Sequence, residues 1–105
     1  MSQTAVDPAA LLRELSGSPA ERRLALLRSS GPIDELLVAL GDQAERMATV
    51  DAGEAVALAT LVVELADEIG GALPRARSRR ALAQTLAYGG RFPEALARCE
   101  EAASI

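Results

Sequence analysis

Residues 76–105 read ARSRRALAQTLAYGGRFPEALARCEEAASI, and this stretch decides the fold. Gly89–Gly90 breaks the helical spacing, Pro74 stands ahead of the stretch, and Pro93 stands just after the break. Both Gly pairs and Pro punctuate helices, so the spacing predicts one helix over 75–88 and a second over 93–104. Small residues recur where two helices must approach closely: Ala83 in the first, and Ala95 and Ala102 seven apart on one face of the second. Leu82, Leu86, Phe92 and Leu96 supply bulk between them. The expected unit is a helical hairpin.

Upstream, the same punctuation repeats. Asp7–Pro8 reads as a cap followed by a first helical residue, and Ser16–Gly17 as a stop, giving a short helix near 8–15. Ser18-Pro19-Ala20-Glu21 has the form of a capping box, with Glu21 reaching back to the cap. That helix stops near Gly31, and Pro32 starts the next, with Ile33, Leu36, Leu37 and Leu40 at helical spacing. Gly41 breaks or weakens it, and the pattern resumes at Ala44, Met47 and Ala48. Asp51-Ala52-Gly53-Glu54 is another cap-like start. The following segment 54–69, EAVALATLVVELADEI, is apolar nearly all round, as suits a helix buried between neighbours. Gly70–Gly71 ends it. The expected fold is all-α: about six helices with short connections, paired as antiparallel hairpins that stack. The 105 residues read as one domain, with N-terminal helices over 1–31, a second unit over 32–70 and the hairpin over 75–105.

Composition agrees with this and narrows function. The apolar half of the chain is mostly Ala, Leu and Val, with no Trp, one Tyr and one Phe. Ala and Leu are strong helix formers, whereas strands favour aromatic and β-branched residues. All eleven basic residues are Arg, which with abundant Ala suggests a high-GC bacterial genome. The absence of His excludes a Ser-His-Asp triad, a Cys-His dyad and His metal sites. Cys99 is the single cysteine, so no intramolecular disulfide forms. A net charge of −4 argues against nucleic acid as a partner, because phosphate neutralisation needs excess positive charge. The charge is unevenly spread: residues 31–70 hold nine acids and one Arg, residues 71–105 six Arg and three Glu. Such asymmetry steers partners, or simply marks one solvated acidic face. The N-terminus, MSQTAVDPAALLREL, lacks a basic start followed by an apolar run, and the longest apolar stretch, near Ala55–Val63, is too short to span a bilayer. The expectation is a cytoplasmic chain with no membrane contact.

The hairpin of residues 76–105 resembles a tetratricopeptide repeat. That family's consensus places a small residue in mid first helix, Gly in the turn, an aromatic just after it, and small residues one to two turns apart on the second helix. Leu82, Ala83, Leu86, Gly90, Phe92, Ala95 and Ala102 match it. Two positions depart: Arg79 stands where Trp or Leu is usual, and Cys99 where an aromatic or Leu is usual. The departures are expected to weaken the first turn and the packing of the second helix. Cys99 is expected to pack against the first helix as a buried small hydrophobe. The resemblance covers about 30 residues. Ala55 lies 40 residues before Ala95 rather than the repeat length of about 34, so residues 32–70 resemble at most a degenerate repeat.

The resemblance implies a short α-solenoid that binds a protein or peptide on a concave face, without catalysis, cofactor or metal. It places Arg77, Arg80, Gln84, Ala87 and Tyr88 on that face. Independently of the family, Arg77, Arg80, Gln84 and Tyr88 are spaced three, four and four, which sets them on one helix stripe. Arg there could grip a carboxylate bidentately, so an acidic partner is expected. The competing reading of the stripe is a solvated Arg-rich face, or one paired with the acidic 31–70 segment. Bacterial arrays of this kind often precede an effector domain in a longer chain.

Other function classes fit less well. A DNA-binding helix–turn–helix would use 91–104 as its recognition helix, but Glu94, Glu100 and Glu101 would then face phosphates. Glu64, Asp67 and Glu68 share a helix flank that could in principle hold a cation, though solvated charge at a helix end is the ordinary role of such residues. A structural or dimerisation module is the main alternative. Ala95, Leu96, Cys99, Ala102 and Ala103 form an apolar stripe that the 75–88 helix covers only in part. The expectation is that further repeats of a longer chain, or a second copy, cover the rest.

Overall fold

The computed structural model describes residues 6–105, so the first five residues of the N-terminal segment 1–31 lie outside it. Among the described residues there are six α-helices and no strand: α1 Pro8–Ser16, α2 Ala20–Ser30, α3 Ile33–Met47, α4 Ala52–Ile69, α5 Ala72–Tyr88 and α6 Phe92–Ala103. The fold is therefore all-α.

Local chemistry accounts for several of the helix ends. The Asp7 carboxylate accepts from the Ala9 N–H at 3.1 Å, and Asp51 accepts from the Glu54 N–H at 3.0 Å, each meeting a backbone donor the first turn leaves free. At the end of α5, Gly90 takes φ 79°, Arg91 N–H donates to Leu86 C=O at 2.9 Å, and Gly90 N–H donates to Ala87 C=O at 3.0 Å. This is a Schellman closure, and its left-handed residue explains the glycine.

Two local expectations are corrected, and the choice left open at Gly41 is decided. The capping box at Ser18 does not form: the Ser18 hydroxyl donates back to Glu14 C=O at 2.7 Å, leaving Pro19 as the residue that enters α2. Closing the end of α1 competes for the same side chain, and the α1 carbonyl wins. Gly41 does not break α3, which runs unbroken through it. A Cβ there would lie 3.8 Å from Ala81 Cβ and from Ser78 Cα, so the glycine sits where α3 and α5 approach closely. Finally, α5 begins at Ala72, ahead of Pro74. Pro is tolerated in a first turn, where its missing N–H has no helical partner to lose. The start is held from a distance, since Gly71 N–H donates to Asp34 Oδ1 at 3.1 Å.

The helices stack with α5 at the centre. It packs most extensively against α6 and also lies against both α3 and α4, while α3 in turn meets α4, α1 and α2. The result is elongated, 45 × 29 × 29 Å. The core runs along this stack through Leu12, Leu15, Leu27, Leu37, Leu40, Val62, Leu65 and Leu82. As expected from its composition, α4 buries a broad face: Ala55, Leu58, Ala59, Leu61, Val62, Leu65 and Ala66. Among the described residues no helix is long and apolar enough to cross a membrane.

Candidate functional site

The outward face of α5 carries Arg77, Arg80 and Gln84, and all three are exposed. They line one wall of an open cleft of about 460 Å³. The opposite wall is Asp42 and Glu45 of α3, and Ala83 and Cys99 complete the lining. The fourth residue of the stripe, Tyr88, is exposed but does not line this cleft. It lies on the last turn of α5, beside the Gly89–Gly90 closure.

The cleft is bipolar, with carboxylates on α3 and guanidinium groups on α5. Arg77 Nη2 lies 3.6 Å from Asp42 Oδ1, with both side chains about half exposed (45% each). So part of the stripe does pair with the acidic 31–70 segment. Arg80 takes part in no ion pair among the described residues, and it is the cleft cation left for an incoming anion. Gln84 beside it adds an amide that can donate or accept.

Cys99 is a correction. It is exposed at the cleft rather than buried against α5. The buried Ala95 and half-buried Ala102 hold the side of α6 that meets α5, and helical rotation turns Cys99 off that side.

Sequence reading missed the role of Arg79. Its side chain is only 13% exposed, and it forms a fork on Asp67 of α4 while its Nε reaches Glu101 of α6. A position read as a lost apolar contact is instead a polar clamp across three helices. The hydrogen bond from Arg79 holds the Asp67 carboxyl below its ordinary value, aided by the nearby charges of Arg79 and Arg75. Opposite charges at 67, 79 and 101 were visible in the sequence, but nothing local said that they meet. The clamp also engages Asp67, a member of the acidic flank Glu64, Asp67 and Glu68. Among the described residues no three Cys, Asp or Glu side chains converge as metal ligands would.

No protein-family model matches the chain, and comparison with curated proteins and with solved structures likewise returned no match.

Proposed function

We propose that this chain is a non-catalytic, cytoplasmic protein-interaction module of tetratricopeptide-like helices. In this reading α3 with α4 and α5 with α6 are successive repeat hairpins. The cleft between α3, α5 and α6 takes a peptide or a domain segment that presents a carboxylate to Arg80 and Gln84. The observation that carries the proposal is the exposed Arg80, facing a cleft with no ion-pair partner among the described residues, beside Gln84. The packing of α5 against both preceding helices supports the repeat reading, since stacked hairpins bury their faces this way. Charged side chains on such a wall act chiefly through orientation and encounter rate, so binding should weaken with salt.

The test is fluorescence polarisation with a panel of acidic and neutral peptides against wild type and Arg80→Glu. Acidic peptides should bind in preference, and Arg80→Glu should weaken them at least about tenfold, as loss of a charged hydrogen bond implies. Equal binding by the variant, or no binding across the panel, rejects the cleft as the site. A structural or dimerisation role is the second reading. What favours it is a separate surface, the outer face of α6.

A further inference from the structure

Phe92, Leu96, Cys99 and Ala103 are all exposed on α6, Phe92 at 65% and Leu96 at 63%. Their spacing is four, three, four. That is the heptad spacing by which one helix seats another along a single seam. No charged residue lies within the seam, so closing it would bury no unpaired charge. The helix packs chiefly against α5, through the side that carries Ala95, which leaves Phe92 and Leu96 uncovered and Cys99 at the rim of the cleft.

We infer that this seam is the contact between two copies of the chain, with their α6 helices antiparallel. The order of side-chain sizes selects both the occupant and the direction. Along the helix the seam runs large, large, small, small. Reversed onto itself, it sets Phe92 against Ala103 of the second copy and Leu96 against Cys99 of the second copy. Every level then holds one large and one small side chain, and the helix separation stays even. A parallel pair would place Phe on Phe at one end and Ala on Ala at the other, leaving a void that close packing does not tolerate. A two-fold contact requires one patch that complements itself, and this seam does so. The contact is one helix wide, so the dimer is weak and forms with rising concentration. The inference does not rest on the cleft reading above: carboxylate binding is assigned to Arg80 and Gln84, self-association to Phe92 and Leu96, and only Cys99 borders both surfaces.

Two measurements test it. Sedimentation equilibrium of the full chain should show a monomer–dimer equilibrium at high micromolar concentration, and Leu96→Glu should be monomeric with unchanged circular dichroism. The second mixes Leu96→Cys/Cys99→Ser with the wild-type chain, so that each chain carries a single thiol, with diamide as the oxidant that takes up two protons and two electrons per disulfide. The mixed disulfide between the two chains should form at least tenfold faster than the disulfide of either chain alone. Only positions 96 and 99 face each other directly in the antiparallel pair, whereas like-to-like pairs sit one helix turn off axis. A wild-type chain that stays monomeric, or a Leu96→Glu chain that still dimerises, overturns the seam. Equally fast cross-linking through Cys99 alone overturns the antiparallel direction.

Discussion

Arg79 of α5 grips Asp67 of α4 with both terminal nitrogens, Nη1 to Oδ1 and Nη2 to Oδ2, each at 2.7 Å. Its Nε donates to Glu101 of α6 at 3.2 Å, and Nη1 also donates to Arg75 C=O at 3.2 Å. One guanidinium thus ties three consecutive helices, with the planar fork matched to a carboxylate.

This clamp gives stability a defined pH dependence. The Asp67 pKa is lowered from its ordinary value of 3.8, first by the Arg79 hydrogen bond. A lowered carboxyl pKa contributes stability that is present above the unfolded value and is lost as pH falls through the folded one. Asp67 is 40% exposed, so solvent screening reduces the contribution. Asp67→Asn should cost about 1 kcal/mol at pH near 7. The difference from wild type should shrink once the pH drops below about 4. Urea melts at the two pH values check this; a gap that persists in acid would assign the loss to packing.

Two glycines should respond oppositely to the same added methyl. At Gly41 the new Cβ meets Ala81, Ser78 and Val62 at 3.8–3.9 Å, ordinary contact distances. Gly41→Ala should therefore stabilise by about 0.5–1 kcal/mol, through helix propensity. Gly41→Leu should overpack the α3–α5 approach and cost about 1–3 kcal/mol. At Gly70 the Cβ would fall 2.8 Å from Ala66 C=O and 2.9 Å from Leu37 Cδ1. Gly70→Ala should lower the melting temperature, because backbone oxygen cannot move aside cheaply.

The caps separate in the same way. Asp51→Ala removes a side-chain acceptor from the first turn of α4 and should cost about 1 kcal/mol. Ser18→Ala removes only a bond back to Glu14 and should stay within about 0.5 kcal/mol of wild type. Equal losses in thermal melts would restore Ser18 as a cap.

The core prediction concerns α4 and α5. Val62 is fully buried and central in the stack. Val62→Asp should abolish cooperative folding, seen as loss of helical circular dichroism, because a charge there has no partner. Ala83 and Ala95 both belong to the buried cluster. Ala83→Leu should cost about 1–3 kcal/mol by overpacking, read by thermal melting.

The sequence by itself determined the helices. Asp7, Asp51, Gly70 and Gly90 make bonds within a few residues of themselves, so their effect is readable without the rest of the chain. The apolar girth of 54–69 foretold its burial for the same reason, since a helix with little polar surface must be covered. The shared face of Arg77, Arg80 and Gln84 follows from helical spacing alone. Tertiary structure decided everything that depends on a partner distant in sequence. Asp42 meets Arg77 and Asp34 meets the Gly71 N–H because α3 lies beside α5. Gly41 of α3 lies against Ser78 and Ala81 of α5, a meeting that helical spacing alone does not show. Cys99 and Arg79 show the limit most directly. Their side chains are placed by how α6 rotates against α5 and where α4 then stands, and no residue within a helical turn of either fixes that rotation.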